Sequence, residues 1–301
     1  MLLDAAENND AQALTQLAIW RLSGQFMPRD LPLSRDYFGR AASLGHSDAA
    51  RVYNAFVANG TGGAADWPAA LAILRERSLE DPAAAEQLDL IGHMDLTPSG
   101  NPAKPLVPRH LSMSPHIELF PKALSHSECD FLIRMATPLA QPAVIVDPHT
   151  GRQVVNPIRT SDAAAFPFAQ ENPAIHAINR RVACISGIPA QHGEPLQVLR
   201  YRPGQEFRRH SDALPGVRNQ RIATVLIYLN DAFTGGETQF PVADMSIRGE
   251  IGDALLFRNV TADGGIDQTA IHAGLPVRTG IKYVASRWIR MHPLDLSSPS
   301  L

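Results

Sequence analysis

The chain has 301 residues, a hydrophobic content of 45% and a formal net charge of −3, with a pI near 6.4. This length permits two domains, and the composition is sufficient for buried cores. The weak net charge gives no overall basic footprint, which disfavours nucleic acid as a partner.

The start of the chain carries no targeting signal that we can identify. Met1–Glu7 lacks the basic start and apolar run of a secretion signal, and no segment reaches membrane-spanning length. We therefore expect a cytoplasmic protein without a membrane partner. Cys129 and Cys184 are the two cysteines, and we expect buried thiols rather than a disulfide framework.

Residues 1–95 are expected to form a helical-repeat domain. Alanine and leucine recur densely, strand-like runs are missing, and similar units begin at intervals of roughly 33 to 38 residues, near the period of tetratricopeptide hairpins. Tyr37, Ala41–Ala42 and Gly45 resemble the second helix of a Sel-like repeat. An ordinary helical bundle is the alternative. Because such hairpins stack into a concave surface that often receives a peptide, this region suggests a protein substrate or partner.

The tripeptide His46-Ser47-Asp48 lies between two of these helical segments. It is predicted to begin a helix, with Ser47 or Asp48 as the N-cap. Residues i and i+2 do not face each other on a helix, so it is not expected to be a metal site.

Residues 96–115 are rich in proline and are predicted to be an extended, semi-rigid linker. In the final segment, 116–301, Ser125-x-x-Glu128 is a capping-box signal that opens an amphipathic helix from Cys129 to Leu139. This helix is expected to have a supporting role.

The stretch from Val144 to Phe166 is predicted to be a long hairpin or loop. Long loops in compact domains are commonly lids or binding loops. We expect this one, which includes Asp147–Gly151 and Arg159-Thr160-Ser161, to close over the site described next.

Short apolar runs separated by glycine and proline predict strands in the rest of the chain. The clearest are Leu196–Tyr201 and Ile222–Leu229, which are rich in valine, isoleucine, leucine and tyrosine. Shorter strands are predicted near Gly235–Pro241, Ala254–Phe257, Ile271–His272 and Ile281–Val284. Many short strands of this kind indicate a sandwich or barrel.

His210-Ser211-Asp212 is a candidate metal-binding pair in this region. In an extended strand, side chains two residues apart point to the same side, so His210 and Asp212 can converge on one ion. His272 is the proposed third ligand. Two imidazoles and one carboxylate leave three octahedral positions open, as non-haem Fe(II) oxygenases require.

These residues also carry a family resemblance. The blocks that match are Glu194–Gln197, Tyr201, Gly204-Gln205, His210-x-Asp212, Tyr228–Asn230, Gly235–Thr238, Phe240-Pro241, His272–Gly274, Pro276-Val277, Gly280-x-Lys282 and Trp288. In their order and spacing they resemble the catalytic domain of prolyl 4-hydroxylases, which are Fe(II)- and 2-oxoglutarate-dependent dioxygenases. With fainter matches upstream, the resemblance covers roughly the last two thirds of the chain.

The resemblance implies an α+β fold of several domains, in which the helical-repeat region precedes a double-stranded β-helix, or jelly roll, at 116–301. It implies that His210, Asp212 and His272 bind Fe(II) and that Lys282 neutralises the far carboxylate of 2-oxoglutarate. Dioxygen would convert this cosubstrate to succinate and CO2 while a C–H bond is hydroxylated. Ascorbate would be the reductant that rescues oxidised iron.

Further contacts are implied by the same resemblance. Tyr201 and Thr238 are the expected hydroxyls beside 2-oxoglutarate, with Tyr228 as a third candidate. Arg221, Phe207 and Trp288 match positions near the target peptide. Phe207 departs from the family because a tyrosine usually occupies its place, so the phenolic hydroxyl is missing.

Three functions stay open on the sequence alone. The first is hydroxylation of a protein or peptide, most naturally at proline. The second is hydroxylation of another residue or of a small molecule by the same iron site. The third is an inactive helical-repeat binding scaffold, which the complete set of His210, Asp212, His272 and Lys282 opposes.

Overall fold

The structure is a computed structural model that describes residues 1–146 and 153–295. The chain divides into two compact units. The first comprises Met1–Lys104, Phe166–Arg180 and Asp295. The second comprises Pro105–Ala165 and Arg181–Leu294.

The first unit is helical, as predicted. Its N-terminal part consists of α1 (Leu2–Glu7), α2 (Ala11–Ser23), α3 (Leu31–Ser43), α4 (Ser47–Asn59), α5 (Trp67–Arg77) and α6 (Pro82–His93). An aspartate caps four of these helices, accepting a backbone N–H of the first turn at 2.8 to 3.0 Å; these caps are Asp10, Asp30, Asp66 and Asp81. Such caps satisfy N–H groups that have no partner within the helix.

The helices repeat along the chain. The starts of α2, α4 and α6 at residues 11, 47 and 82 reproduce the predicted interval. Consecutive helices pack against each other. Buried side chains also form hydrogen bonds between neighbouring helices. Ser34 Oγ donates to the Ala18 carbonyl at 2.8 Å, and Asn54 Nδ2 donates to the Ala70 carbonyl at 3.1 Å. The region is therefore an array of helical hairpins with neighbour-to-neighbour contacts.

Three details of the predictions were wrong. Helix α4 begins where expected, but its N-cap is His46, whose Nδ1 accepts the Ala49 N–H at 3.3 Å. The proline-rich linker is not extended throughout, because the Thr97 N–H donates to the Asn101 carbonyl at 2.8 Å and closes a turn. Cys184 is exposed, whereas Cys129 is buried as predicted.

The second unit is built on antiparallel sheets. An eight-stranded sheet has the order β1-β2-β13-β9-β16-β7-β6-β3, and a four-stranded sheet has the order β12-β11-β14-β8. Two further pairs are β10 with β15 and β4 with β5. The strands are β1 (Arg109–Met113), β2 (His116–Phe120), β3 (Gln141–Pro142), β4 (Val144–Val146), β5 (Gln153–Val155), β6 (Asp162–Phe166), β7 (Leu196–Tyr201), β8 (Phe207–His210), β9 (Arg221–Tyr228), β10 (Phe233–Gly235), β11 (Thr238–Phe240), β12 (Met245–Ile247), β13 (Ala254–Arg258), β14 (His272–Gly274), β15 (Val277–Gly280) and β16 (Lys282–Arg290).

The two larger sheets enclose one cavity, as expected for a jelly roll. Alternate residues of β16 line it, namely Lys282, Val284, Ser286 and Trp288, because side chains two apart along a strand share a face. From the other sheet, β8, β11 and β14 supply lining residues. The predicted double-stranded β-helix is confirmed, and the site lies between its layers.

Two further helices are α7 (His126–Ala136) and α8 (Pro173–Ser186). Short 3-10 turns lie at Thr137–Leu139, Ala190–His192, Pro241–Ala243 and Gln268–Ala270. The predicted capping box of α7 is confirmed. The Ser125 side chain accepts the Glu128 N–H at 3.2 Å, and Glu128 Oε2 accepts the Ser125 N–H at 2.6 Å. No helix among the described residues is long and apolar enough to cross a membrane.

The predicted hairpin at 144–166 is present in its described part. Strands β4 and β5 pair in antiparallel fashion, from Val144 opposite Val155 onward. The tip, which includes Asp147–Gly151, lies outside the described residues. Beyond the hairpin, the Arg208 N–H donates to the Ile158 carbonyl at 2.7 Å, so this segment continues beside β8.

Candidate active site

Two histidines meet across a pair of strands. His210 ends β8 and His272 begins β14, and the antiparallel register places these two residues directly opposite each other. Their ring centroids are 4.3 Å apart. Strand pairing therefore brings together two imidazoles that lie 62 residues apart in the sequence.

Asp212 completes a cluster with them. Its Oδ1 lies 3.5 Å from His210 Nε2, and its Oδ2 lies 3.7 Å from His272 Nε2. One ligand atom from each residue falls within 4.8 Å of the others, and this is the one such group of three or more among the described parts of the chain. Two imidazoles and a carboxylate at this separation suit a non-haem Fe(II) ion.

Backbone carbonyls orient both rings. His210 Nδ1 lies 2.7 Å from the Arg208 carbonyl, and His272 Nδ1 lies 3.0 Å from the Ala270 carbonyl. A carbonyl can only accept, so each Nδ1 carries a proton, and in the neutral imidazole Nε2 keeps its lone pair for a metal. His210 Nε2 is buried and has no hydrogen-bond partner among the described residues. This atom is positioned to bind a metal.

The electrostatics favour the forms that bind metals. Burial lowers the pKa of His272 to about 4, although Asp212 opposes the shift, so the imidazole is neutral at neutral pH. For Asp212, burial alone would raise the pKa. His272 and His210, together with a hydrogen bond from Thr224, outweigh burial and hold the pKa below its usual value. A carboxylate and neutral imidazoles are the forms that coordinate a cation.

Lys282 places a buried cation in the same cavity. It is 4% exposed, and its Nζ donates to the Gly236 carbonyl at 2.7 Å. Burial lowers its pKa to about 8, while Glu237 opposes the shift. Burying a charged ammonium costs free energy unless an anion binds beside it and neutralises the charge. The cavity is therefore suited to a ligand with a carboxylate.

Two residues with hydroxyl groups, Tyr201 and Thr238, line the same cavity as this ammonium. Tyr201 is opposite Lys282 in the β7–β16 pair, and the ammonium is 5.5 Å from its ring. Burial raises the pKa of Tyr201 to about 12, so its hydroxyl keeps its proton. Thr238 also lines the cavity, whereas Tyr228 stands one step behind and donates to Thr238 Oγ1 at 3.0 Å.

The predicted substrate contacts divide into two groups. Phe207 and Trp288 line the cavity, and the Phe207 ring stacks on His210 with a centroid separation of 3.5 Å. Arg221 is not among the lining residues. Its guanidinium donates to both carboxylate oxygens of Glu194 at 2.6 and 2.8 Å and lies 4.1 Å from the Trp288 ring centroid. It supports the wall instead of facing the cavity.

Three residues around the site were not predicted from the sequence as site residues. Thr224 donates to Asp212, and Asn259 donates to Thr224. Thr224 is the single polar residue in the run 222–227, which is the signal that could have identified it. Arg159 was noted as part of the hairpin but not as a site residue. Its half-buried guanidinium lies 5.6 Å from the Phe207 ring centroid, and its Nε has no hydrogen-bond partner among the described residues.

Comparison with known proteins gives the following similarities. Residues 196–290 match the model of the 2OG-Fe(II) oxygenase superfamily. Prolyl 4-hydroxylase 1 of Arabidopsis thaliana is 38% identical over 202 residues, which are 61% of this chain and 71% of that protein.

Two solved structures are also similar to this chain. The viral collagen prolyl hydroxylase of Paramecium Bursaria Chlorella virus-1, in its 2OG complex, is 29% identical with a TM-score of 0.46, over 58% of this chain and 95% of that one. A Sel1 repeat protein of Oxalobacter formigenes is 30% identical with a TM-score of 0.27, over 29% of this chain and 26% of that one.

Proposed function

Since the chain belongs to the prolyl 4-hydroxylase family, within the 2OG-Fe(II) oxygenase superfamily, we propose that it hydroxylates a prolyl residue in a protein or peptide. Succinate and CO2 are the proposed co-products. The observation that carries the proposal is that His210, Asp212 and His272 converge in a cavity that also contains the buried ammonium of Lys282.

The donor set fits the cofactors of this family. His210, Asp212 and His272 would hold Fe(II), and the unpartnered Nε2 of His210 supports that role. Lys282 would bind the far carboxylate of 2-oxoglutarate, assisted by the hydroxyls of Tyr201 and Thr238. Iron and 2-oxoglutarate, when bound, supply the activation of dioxygen. Ascorbate is the proposed reductant that keeps the iron ferrous.

The protein itself positions the target carbon and excludes water. Leu199, Leu226 and Val284 give the cavity an apolar wall, and Trp288 adds a broad flat surface. Phe207 lies against His210, so a ring resting on it would be held close to the metal by apolar contact alone. Such contacts suit the pyrrolidine of a prolyl residue, which has no polar side-chain group.

A peptide has further groups to offer beyond this ring. The half-buried Arg159 guanidinium beside Phe207 can donate to a peptide carbonyl or carboxylate. The array of helical hairpins is proposed to bind a protein substrate or another protein partner. A cytoplasmic location is part of the same proposal.

A second candidate function is hydroxylation of a different residue or of a small molecule. The observation that favours it is Phe207, which cannot make the hydrogen bond that a tyrosine hydroxyl would make at this position. An inactive scaffold is disfavoured because His210, Asp212, His272 and Lys282 are all present and gathered in one cavity.

The test is hydroxylation of proline-containing peptides with Fe(II), 2-oxoglutarate and ascorbate, followed by mass spectrometry. We expect one added oxygen atom that fragmentation places on proline, and no product from the His272→Ala variant. Succinate formation without an oxidised peptide would support a different substrate. If no succinate forms under any condition, the remaining function is that of an inactive binding scaffold.

A further inference from the structure

Two buried polar side chains lie behind Asp212, outside the cavity lining. Thr224 Oγ1 is 2.6 Å from Asp212 Oδ2, and Asn259 Nδ2 is 3.0 Å from Thr224 Oγ1. Thr224 is fully buried and Asn259 is 2% exposed. Hydrogen bonds among groups this well buried are not in competition with water.

We infer that Thr224 and Asn259 are positioning residues that fix the orientation of Asp212 for metal binding. This inference rests on the proposed role of Asp212 as an iron ligand. It assigns no contact with the metal or substrate to either residue. Their effect is exerted through the carboxylate.

The direction of the two hydrogen bonds follows from the donor inventory. An ionised carboxylate only accepts, so the single hydroxyl proton of Thr224 must point at Asp212 Oδ2. Thr224 Oγ1 then has only lone pairs to offer Asn259, which must present its amide N–H group to it. The amide therefore donates to the hydroxyl oxygen, and the hydroxyl proton stays directed at Asp212. The chain of donors runs from Asn259 to Thr224 to Asp212.

Both residues are held by their backbones. Thr224 lies in β9, a central strand, where it is opposite Phe257 of β13 and Trp288 of β16. The Asn259 N–H donates to the Ile222 carbonyl and the Asn259 carbonyl accepts from the Asp267 N–H, both at 3.0 Å. These backbone contacts fix the strand position from which the Thr224 hydroxyl reaches Asp212. The hydroxyl constrains χ2 of Asp212 from behind the site.

The consequence for Asp212 is an asymmetric carboxylate. Oδ2 is occupied by the Thr224 hydroxyl, whereas Oδ1 lies 3.5 Å from His210 Nε2 and accepts no hydrogen bond among the described residues. One oxygen is thus left for coordination, and the carboxylate does not have to be ordered when the metal arrives. Without the hydroxyl, the carboxylate could rotate, and ordering it would reduce metal affinity.

The experiment measures metal binding directly. Anaerobic titration of the full-length apo chain with Fe(II) would be compared between the parent and the Thr224→Val and Thr224→Ser variants. Valine keeps the shape and removes the hydroxyl, and we expect the dissociation constant to rise about 10- to 100-fold, as for lost outer-shell partners of metal ligands. Serine restores the hydroxyl and should stay within about threefold of the parent. The Co(II) absorption spectrum should change in the valine variant alone.

Thr15→Val is the matched control. Thr15 is also a buried threonine, with its Oγ1 donating to the Ala11 carbonyl at 2.8 Å, but it lies in the helical unit. Its loss should lower the melting temperature and leave Fe(II) affinity unchanged. Asn259→Leu, which cannot donate, should weaken Fe(II) binding less than Thr224→Val does. If the Thr224→Val protein does not fold, the Asn259→Leu variant tests the inference in its place.

A dissociation constant for Thr224→Val within twofold of the parent would overturn the inference. So would equal losses in the valine and serine variants, because the hydroxyl would then not be the cause. If Thr224→Val does not fold, an Asn259→Leu affinity equal to that of the parent overturns it. The two claims can fail separately. If the Thr224 variants change Fe(II) affinity as expected but the protein does not hydroxylate proline, the proposed function is wrong and this inference still holds.

Discussion

Because Lys282 is buried, we expect 2-oxoglutarate binding to depend on pH. Its pKa is lowered to about 8, chiefly by burial, so the free protein loses this charge above pH 8. A bound carboxylate favours the charged form, so 2-oxoglutarate binding must take up a proton there. We predict that the dissociation constant of 2-oxoglutarate, measured by anaerobic calorimetry, rises towards about tenfold per pH unit above pH 8.

The matched variant for this prediction is Lys282→Arg. A guanidinium stays charged across the whole range, so the rise above pH 8 should disappear. Lys282→Ala should weaken binding at pH 7 by about 2–5 kcal/mol, because the diacid would be buried without its cation. An unchanged pH profile in Lys282→Arg would show that another group controls the effect.

The three proposed ligands give a second prediction at this scale. His210→Ala and Asp212→Ala should each abolish turnover through loss of iron, because two remaining ligands hold the ion poorly. The measurement is iron content after anaerobic loading and gel filtration, together with succinate formation. Near-normal iron and turnover in the His210 variant would contradict its assignment. His192→Ala is the control, because His192 Nδ1 contacts only the Arg290 carbonyl among the described residues.

Single residues were predictable where strand periodicity and family resemblance both applied. His210 and Asp212 are two positions apart, and the family blocks supplied His272 and Lys282. Thr224 and Asn259 were not predictable in the same way. They reach Asp212 through contacts that span 12 and 35 residues of sequence and depend on the register of β9 with β13.

At the scale of elements, a buried ion pair within the second unit joins Glu128 of α7 to Arg181 of α8. Arg181 Nη1 contacts both carboxylate oxygens of Glu128 at 2.6 and 2.8 Å and also donates to the Ala123 carbonyl at 3.0 Å. Removing one member of a buried pair leaves the other charge without compensation. We predict that Glu128→Ala lowers the free energy of unfolding by about 3–5 kcal/mol, measured by urea denaturation.

The control for this element is Asp130→Ala. Asp130 is exposed on the same helix, and its loss should change the free energy of unfolding by less than about 0.5 kcal/mol. Equal effects of the two substitutions would mean that general helix charge, and not the pair with Arg181, is responsible.

The hairpin of β4 and β5 gives a prediction about closure. Its downstream segment continues beside β8, the strand that ends in His210. We expect 2-oxoglutarate and a substrate peptide, added together, to slow proteolytic cleavage within 147–161. Unchanged cleavage would contradict a lid. Cleavage at the exposed Phe26, in the helical unit, serves as the internal reference.

Strands were predicted accurately where the sequence has an apolar run with few polar residues. The prediction for β7 matches both of its ends, at Leu196 and Tyr201. Strand β16 is longer than predicted because Arg287 interrupts the apolar pattern. Its guanidinium is nonetheless buried, where Nε donates to the Glu194 carbonyl at 3.0 Å. Strand β2 was missed because it is mixed in polarity and its partner β13 is more than a hundred residues away.

For the whole molecule, the division into two units predicts which amides bound ligands will protect from hydrogen exchange. All of the proposed iron and 2-oxoglutarate ligands lie in the second unit. Hydrogen exchange of the full chain, with and without Fe(II) and 2-oxoglutarate under anaerobic conditions, should show protection in β8, β14 and β16. Amides of α1–α6 should exchange at the same rate in both states. Equal protection of both units would contradict this assignment.

The placement of the cofactor ligands on different layers has one more consequence. His210 and His272 belong to the four-stranded sheet, whereas Lys282 belongs to the eight-stranded sheet. A diacid attached to the iron at one end and to the ammonium at the other would therefore bridge the sandwich internally. Succinate, the proposed co-product, is a shorter diacid than 2-oxoglutarate, so we expect it to bridge the two sheets less well and to bind more weakly.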